Sequence, residues 1–385
     1  MTVSGALEAA VALEAWGDRR GWAGPDPYDG LSATRLVGPL KRTVGGRRVL
    51  SQLVKRSPID LRPLLGISPG HSAASLAQVA SAYARNGFLS ADDAQTKLSA
   101  TLARLEELRA PDLDDLAFGY HFDVQTRVFF YPRGAPNVIA TAFAGNAFLD
   151  AHETTGDAAW LARAQSVGEF FIRHVPQTED EPGSYFGYLV GDRTPIHNAN
   201  LLVCAVLARL HRLTGDERFG SAARDGITYT LARQAADGSW PYGEQAHLRW
   251  VDGHHTGYIL EALLVAADAG IPVDMNAWRK GMEFYERNLF LADGAPKYYA
   301  GSLYPLDVQA LAQGIQTFAR AAGREPRYAV MAEKIFAYGM LRFRRDDGAF
   351  VFQRRRFWAN STPHVRWGQA PMLLALSHLL AVDAP

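Results

Sequence analysis

His197-Asn-Ala-Asn-Leu-Leu-Val-Cys204 is one of five similar phrases in which polar residues lead directly into an apolar run. A fixed period indicates a repeat architecture, and here each repeat is long enough for one helical hairpin. Because the polar residues recur at the same place in each unit, we expect them to meet on one rim of the fold. The phrases begin 60, 57, 50 and 60 residues apart, at Asn137, His197, His254, Tyr304 and His364.

Each phrase opens an apolar inner helix, and an amphipathic outer helix follows most of them. Helices that are apolar all round are typically buried, whereas amphipathic helices face solvent on one side. The Thr-Gly-Asp links at 155–157 and 214–216 supply a glycine to end one helix and an aspartate to cap the next. The predicted pairs are 72–86 with 91–109, 137–153 with 158–174, 197–213 with 217–234, 254–268 with 274–290, and 306–322 with 326–343, before a last inner helix at 366–381.

The helix count predicts a closed ring. Six inner helices have only five outer helices after them, and the N-terminal helix at 1–20 can supply the sixth. The sequence therefore predicts an all-α fold, an (α/α)6 toroid in one domain over 1–385, with an irregular segment at 21–70. An open superhelix is the competing arrangement, but it requires capping helices with a polar outer face.

Several connections between the helical pairs carry Asp-Gly or aromatic residues. Asp-Gly followed by alternating aromatics predicts a turn and a short strand. Strands of this kind at one end of the ring would wall a cup over its mouth. The predicted strands lie at 129–134, 184–188, 237–243, 293–299 and 347–353.

Composition excludes several classes of function. The chain has 385 residues, 48% of them apolar, and 40 basic and 40 acidic side chains, so bulk electrostatic binding of nucleic acid is not expected. The single cysteine, Cys204, excludes an internal disulfide and a cysteine-rich zinc site. With no run of 18 apolar residues and no signal-like start, we expect a cytoplasmic protein without a membrane span. The sequence has no glycine-rich phosphate loop and no Rossmann pattern, and we expect no cofactor.

The converging helix starts predict a site for an acidic sugar. Helix N-termini carry unpaired N–H groups and partial positive charge, which favour carboxylates. Aromatic faces suit the C–H faces of a sugar ring, and amide, carboxylate and imidazole groups suit its hydroxyls. The alternative is that these polar residues only cap helices. The predicted substrate-binding residues are Asn137, Asn198, Asn200, Trp240, Tyr242, Asp252, Tyr298, Asp307, His364 and Arg366.

Histidines and tyrosines supply candidate acids and bases. If His197 opens its helix, His197 and Asn200 share a face and could both reach the cavity. Arg366 could bind a carboxylate through both of its terminal nitrogens. Zinc held by His197, His254 and His364 is conceivable, but these residues share no helical turn, and we expect no metal. The predicted catalytic residues are His197, His254, His255, Tyr188 and Tyr258.

Three other functions fit parts of the sequence. A glycosidase would use Asp252 and Asp307 facing each other across the cavity. A terpene-type cyclase is suggested by Asp112-Leu-Asp-Asp115 and by the Gln234 to Trp240 segment, and would require Asp114 inside an apolar barrel. A non-catalytic glycan-binding protein is favoured if the histidines at the helix starts are buried away from the cavity.

The repeat unit resembles that of the N-acylglucosamine 2-epimerases and of the C-terminal domain of the D-glucuronyl C5-epimerases. Nearly the whole chain is similar to uncharacterised bacterial toroid proteins encoded in polysaccharide-biosynthesis loci. The phrases that carry this resemblance are Asp26-Pro-Tyr-Asp-Gly-Leu31, Lys55-Arg-Ser-Pro58, Tyr131-Pro-Arg-Gly-Ala-Pro-Asn137 and His255-Thr-Gly-Tyr258. This resemblance implies a carbohydrate substrate and no particular reaction. It also leads us to expect an aromatic at position 253 and a histidine near position 309, where this chain has Gly253 and Gln309.

The adjacent His197-Asn198 pair, with tyrosine and arginine available, also resembles the Asn, His, Tyr and Arg set of toroid polysaccharide lyases. Together these features predict an enzyme of polysaccharide biosynthesis that abstracts a proton next to the carboxylate of a uronic acid or related sugar. The base would be His197, His254 or His255. Epimerisation and β-elimination share this first step, so the isomerase and lyase classes both stay open.

Overall fold

The computed structural model describes residues 3–35 and 37–382, and most of its regular structure is helical. In chain order the helices are α1 (Val3–Asp18), α2 (Val44–Arg56), α3 (Arg62–Leu65), α4 (Ala73–Arg85), α5 (Ala91–Glu106), α6 (Val138–Thr155), α7 (Ala158–His174), α8 (His197–Thr214), α9 (Glu217–Leu231), α10 (Gly253–Asp268), α11 (Met275–Leu289), α12 (Val308–Ala322), α13 (Arg327–Arg342) and α14 (Ala370–Val382). No helix in those ranges is long and apolar enough to cross a membrane.

The inner helices form a closed ring. Helices α4, α6, α8, α10, α12 and α14 pack side by side in that order, and α14 returns to pack against α4. Helices α5, α7, α9, α11 and α13 each cover the inner helix that precedes them, and α1 packs on α14. The predicted (α/α)6 toroid is therefore confirmed, and the first helix occupies the outer position that the count left open.

The two Thr-Gly-Asp links have the predicted geometry, whereas Gly323, in the Ala-Gly-Arg link at 322–324 that was expected to end its helix in the same way, stays in the right-handed conformation at φ of -63°. Gly156 and Gly215 end α6 and α8 in the left-handed conformation, at φ of 72° and 71°. Asp157 and Asp216 then cap α7 and α9 by accepting hydrogen bonds from backbone N–H groups. Each link reverses the chain within a few residues, so an outer helix lies directly against its inner partner.

Short antiparallel strands lie at the other end of the ring. They are β1 (Val124–Gln125) with β2 (Phe130–Tyr131), β3 (Gln177–Glu179) with β4 (Ser184–Phe186), and a sheet of β5 (Leu306–Asp307), β6 (Gln353–Arg354) and β7 (Ala359–Asn360). The strands expected at 237–243 and 293–299 do not form. There Gly238 and Gly294 turn with positive φ against the backbones of outer helices, and only isolated bridges follow.

The segment at 21–70 is more regular than expected. It contains α2, α3 and two short 3-10 turns at Asp29–Ser32 and Leu40–Arg42. Seven of its buried apolar residues form a small core separate from that of the ring, while Trp22 belongs to the core of the ring. Helix α2 also contacts β1. Helix α2 therefore stands beside the strand end of the toroid. The small core consists of Leu31, Ala33, Val37, Leu50, Val54, Leu65 and Ile67.

A buried ion pair joins this segment to the start of the last inner helix. Arg366 donates from Nε and Nη2 to the two carboxylate oxygens of Asp26, at 2.5 and 2.7 Å. Arg62 donates to Asp29 and to the Asp26 carbonyl, and Val365 N–H donates to the Pro25 carbonyl. These contacts fix the segment against the π-helical turn Val365–Gln369 that leads into α14.

We predict that the close packing of α9 on α8 depends on Gly226. A Cβ atom there would lie 2.3 Å from Cys204 Sγ and 2.9 Å from Asn200 Oδ1. Gly226→Ala should therefore lower the free energy of unfolding by about 1–3 kcal/mol, measured by urea denaturation. Gly45→Ala is the control, because a Cβ at that helical position points into open space. Equal stability of the Gly226 variant and the native chain would contradict this packing.

Candidate functional site

A cavity of about 530 Å³ opens at the strand end of the ring, and a narrower extension of about 80 Å³ continues inward from it. We call the two together the near cavity. Every inner helix, or the turn that leads into it, contributes to the extension, which confirms that the helix starts meet on one side of the fold. The contributing side chains include Gln78 of α4, Phe143 of α6, Asn198 of α8, His254 of α10, Gln309 of α12 and Trp367 before α14.

Asp252, His254 and His255 form the acid–base centre of the near cavity. Asp252 caps α10 by accepting from His255 N–H, and its Oδ2 accepts from Trp250 Nε1 at 3.0 Å. His255 Nδ1 lies 2.7 Å from the same Oδ2. This hydrogen bond assigns the proton to Nδ1 and leaves Nε2 of the neutral imidazole as an acceptor. The His255 side chain is 22% exposed and lines both parts of the cavity.

His254 and His255 differ in how deeply they are buried. Burial lowers the pKa of His254 to about 3, so its imidazole is neutral at physiological pH. Its Nδ1 lies 3.2 Å from Asp252 Oδ1 without a well-formed hydrogen bond. Burial raises the pKa of Asp252, but His254, His255 and the hydrogen bonds from His255 outweigh that effect and hold it below its usual value. Asp252 is therefore an acceptor that orients His255.

Aromatic side chains make up much of the cavity wall. Tyr242 stacks on Trp250 with centroids 4.6 Å apart, and Phe129 stacks on Tyr188 at 4.8 Å. Tyr298 meets His254 edge to face. Burial raises the pKa of Tyr188, Tyr242 and Tyr298 above the usual value for tyrosine. Their hydroxyls therefore stay protonated and can donate hydrogen bonds or protons.

The mouth of the near cavity is strongly positive. Six cationic side chains line it, while Asp252 is the one carboxylate that does so among the residues described. Within the described ranges, Arg366 is the one of the six with an acidic partner closer than 4 Å. Such an excess of positive charge favours an anionic ligand. We call the other five the cationic rim; they are Arg48, Lys55, Arg56, Arg127 and Arg355.

Lys55 is held between two aromatic rings. Its Nζ lies 4.4 Å from the centroid of Tyr28 and 4.3 Å from that of Trp367, and it donates to the Tyr28 hydroxyl at 3.1 Å. Arg127 lies over Trp250 and donates to the Tyr299 hydroxyl. These contacts fix the direction of both cations without neutralising them.

The structure gives Arg366 a different partner from the predicted one. Its bidentate acceptor is Asp26 and not an open position for a substrate carboxylate. The guanidinium carbon lies 4.5 Å from the Tyr120 ring centroid, and the residue lines both parts of the cavity. Because Asp26 already occupies its fork, Arg366 organises the wall around Tyr120.

Three predicted site residues converge on Thr230 behind the cavity wall. His197 Nδ1 lies 3.4 Å from the Thr230 hydroxyl, Asn200 Nδ2 donates to it, and Trp240 Nε1 donates to the Thr230 carbonyl. His197 Nε2 lies 2.7 Å from Glu244 Oε1, and burial lowers the pKa of its imidazole. The expectation that His197 and Asn200 face the cavity is wrong in its geometry, because α8 turns this side toward α9.

The neighbouring residue, Asn198, faces the cavity instead. It lines the extension, and its buried Oδ1 has no hydrogen-bond partner within the described part of the chain. A ligand hydroxyl could satisfy this oxygen. The sequence correctly predicted that the first turn of α8 contributes to the site. It predicted the wrong orientation for His197, which lies on the side of the helix away from the cavity.

Asn137, Asp307 and His364 are structural in their contacts. Asn137 and Asp307 cap α6 and α12 through backbone N–H groups, and both are fully buried. Asp307 Oδ2 also accepts from Gln353 Nε2 at 2.6 Å. His364 is fully buried against the edge of Phe352, and burial keeps its pKa well below the usual value. None of these three is among the described residues that line the near cavity, which differs from the expectation.

Tyr188, Tyr242, Asp252, Tyr298 and Tyr258 do line the near cavity, as expected. Tyr258 lies at its floor, where its hydroxyl accepts from Gln309 Nε2 at 2.6 Å. Sequence reasoning missed several wall residues. All of them lie outside the repeated phrases except Trp367, which follows Arg366 in the last phrase. The missed residues include Tyr28, Lys55, Tyr120, Arg127, Tyr131, Trp250 and Trp367.

The positions of Asp252, Asp307 and Asp114 do not match the glycosidase and terpene-type cyclase alternatives. Asp252 and Asp307 do not face each other across the cavity, since Asp307 is enclosed by its own helix start and Gln353. Asp114 is exposed in the loop after α5, not inside the barrel. His197 and His364 are buried away from the cavity, but His254 and His255 are not. Asp252, His254 and His255 offer ligand atoms within 4.8 Å of one another, although both Asp252 oxygens already accept hydrogen bonds.

Comparison with known proteins identifies relatives by fold. No protein-family model matches the chain, and no curated protein has a similar sequence. A cellobiose 2-epimerase from Spirochaeta thermophila superposes with a TM-score of 0.60 at 15% identity, covering 81% of this chain and 86% of its own. A polysaccharide lyase gives 0.59 at 12%, covering 81% and 91%. An unsaturated glucuronyl hydrolase specific for heparin gives 0.64 at 11%, covering 99% and 97%. At these identities the likeness establishes the (α/α)6 fold.

We predict that Asp307 makes stability depend on pH. Burial raises its pKa from 3.8 to about 6, so its contribution is greatest below pH 3.8 and is lost as the pH rises through 6. Asp307→Asn keeps the helix cap without the charge. From pH 4 to pH 7, the free energy of unfolding of the variant should rise relative to the native chain by up to roughly 3 kcal/mol.

The measurement is urea denaturation at several pH values. Asp274→Asn is the matched control, because Asp274 caps α11 in the same way but is exposed. A difference between Asp307→Asn and the native chain that does not change with pH would contradict the prediction.

Proposed function

We propose that the protein is an enzyme that transfers a proton at the carbon next to the carboxylate of an acidic sugar, with His255 as the base. The observation that carries the proposal is the Asp252–His255 pair, which opens into an aromatic cavity. At its mouth lies the cationic rim, which has no acidic partner within 4 Å in the described part of the chain. The arrangement combines a positioned base with a site for negative charge, which this reaction requires.

His255 is the base in this proposal because it is the accessible histidine of the centre. Asp252 holds the Nδ1 proton, so the lone pair of Nε2 remains available. Asp252 also stabilises the imidazolium that forms when Nε2 takes the proton. His254 packs beside it with ring centroids 3.9 Å apart and is almost fully buried. It is therefore assigned to shaping the site.

Lys55 and Arg127 are the proposed ligands of the substrate carboxylate. Both line the near cavity, both are oriented by aromatic rings, and neither has an acidic partner within 4 Å in the described ranges. When the proton leaves, negative charge spreads onto the carboxylate, and a nearby cation stabilises it. The stacked walls at Tyr242 and Tyr188 suit the faces of sugar rings.

A tyrosine is the proposed acid, and Tyr188 is the first candidate because it lines both parts of the cavity and stays protonated. In epimerisation its hydroxyl proton would return to the same carbon from the other face. In elimination the carbon–oxygen bond at the adjacent carbon would break, a C=C bond would form, and the tyrosine would protonate the leaving oxygen. Both outcomes balance with one base and one acid.

The fold comparisons support this choice of substrate class. The similar structures include proteins named as an epimerase, an isomerase, a lyase and hydrolases of sugars. A role in polysaccharide biosynthesis rests on the resemblance of the sequence phrases described above. The isomerase and lyase classes both remain within the proposal.

The test is incubation with uronate-containing and neutral oligosaccharides in deuterium oxide, followed by NMR and mass spectrometry. We predict deuterium at a single carbon of a uronate, or an unsaturated product. His255→Asn should reduce the rate by at least about 100-fold, the usual contribution of a general base. His247→Asn, at an exposed position outside the cavity, is the control and should keep the native rate. A folded protein that neither exchanges nor cleaves any uronate would refute the proposal.

A second prediction concerns the cationic rim. Lys55→Met keeps the length and apolar stem of the side chain but removes its charge. We expect kcat/KM for an acidic substrate to fall by roughly 10- to 100-fold, as for the loss of a charge-assisted hydrogen bond. Lys280→Met on the outer helix α11 is the matched control. Equal effects of the two substitutions on steady-state kinetics would exclude Lys55 from carboxylate binding.

A further inference from the structure

A second cavity lies at the opposite end of the ring. It has a volume of about 360 Å³ and is lined by residues from the middle to the C-terminal end of the six inner helices. We call it the far cavity. Its floor is shared with the near cavity, because Gln78, Phe143 and Tyr258 line both. Its titratable side chains are Arg85, Asp150, Glu153, Arg209, Arg212, Tyr258, Glu261, Asp268, Arg320 and His378.

Three of the four arginines there are already paired. Arg209 donates to Asp150 at 2.7 Å and to Glu153 at 2.8 Å, and Arg212 also pairs with Glu153. Arg320 lies 3.4 Å from Glu261. The remaining acid, Asp268, pairs with Arg324, which does not belong to the lining. Each acid of the far cavity is therefore occupied by an arginine other than Arg85.

Arg85 is the fourth arginine. Within 3–35 and 37–382 no acid lies within 4 Å of it, and its side chain stays solvent-accessible inside the cavity. Asp150 and Glu261 are the acids that attract it, but Arg209 and Arg320 hold them. The guanidinium fork of Arg85 is thus free, and forks of this kind bind carboxylate and phosphate groups through two parallel hydrogen bonds.

The neighbours of Arg85 strengthen the positive side of the cavity. The ring order places α12, α14 and α4 next to one another, and they carry Arg320, His378 and Arg85. His378 is 5% exposed, and burial and the two arginines keep its pKa well below the usual value. A neutral imidazole there can donate one hydrogen bond without adding charge. No acid on α4 or α14 is among the described lining residues.

We infer that the far cavity binds a small anion with carboxylate or phosphate groups, through Arg85 with Arg320 and His378. The volume of about 360 Å³ is in the range of sites for small metabolites. The alternative is that Arg85 only compensates the partial negative charge at the end of α4. That role requires no ligand, so saturable binding distinguishes the two. The inference does not depend on the reaction proposed for the near cavity.

Isothermal titration calorimetry with inorganic phosphate and with citrate, at low ionic strength, tests the inference. We expect saturable binding of at least one of them, and sodium chloride at matched ionic strength should not reproduce it. The anion that binds more tightly would show whether the site prefers a phosphate or a carboxylate group. Arg85→Gln should weaken binding by roughly 10- to 100-fold, as expected for a charge-assisted hydrogen-bond pair. Arg224→Gln, an exposed arginine of α9 paired with Glu217, is the control and should bind as the native chain does.

Two results would overturn the inference: no saturable binding of either anion by the native chain, or equal affinity in Arg85→Gln and Arg224→Gln. If Arg85→Gln does not fold, Arg85→Lys keeps the charge and removes the fork, and it should bind more weakly than the native chain. A crystal soaked in tungstate gives an independent position. Tungstate density beside Arg85 would support anion binding in the far cavity. Tungstate density at other positions alone would contradict it.

Discussion

The buried ion pair between Asp26 and Arg366 sets the geometry of the site more than any other contact. Each charge alone would be costly to remove from water, and the pair is stable because both carboxylate oxygens and two guanidinium nitrogens are matched. It joins residues 340 positions apart, one in the N-terminal segment and one in the turn before α14. Tyr28, Lys55 and Trp367 meet beside it, so three separate parts of the chain share one wall.

Charge is distributed very unevenly in a chain that has no net charge. The 40 basic and 40 acidic side chains cancel over the whole molecule, and many of them pair on outer helices. Among the described residues, the cationic rim does not pair in this way, and in the far cavity the four acids are held by arginines other than Arg85. Composition argued against bulk attraction to a polyanion, which stays a prediction. It gave no sign of these local fields, which depend on which side chains the fold brings together.

The repeat period predicted the architecture closely. The apolar runs indicate where inner helices begin, and the Thr-Gly-Asp links indicate where inner helices end and outer helices begin. The period also predicted that the helix starts would meet. It did not predict which residue of each start faces inward. One residue along a helix rotates the side chain by about 100°, so the same phrase puts Asn198 in the cavity and His197 against Thr230.

Lys55 and Arg127 escaped prediction for a different reason. They lie on α2 and on the turn between β1 and β2, which carry no repeat and reach the cavity only through tertiary packing. The strands expected after Gly238 and Gly294 failed for a related reason. Each glycine turn packs closely on an outer helix, and the alternating pattern that suggested a strand there serves the core, as at the buried Trp240.

Closure of the ring by α1 and α14 has a consequence for synthesis in the cell. Helical hairpins can stack one after another as they leave the ribosome, but α4 keeps an open apolar side until α14 arrives. At typical elongation rates the 385 residues take roughly 20 to 80 s to make. During that time the ring is incomplete, and the apolar sides of α4 and of the most recently formed inner helix are not covered by a neighbouring helix. Chaperones that cover such apolar sides, and the pace of translation near the last helix, therefore bear directly on the yield of folded protein.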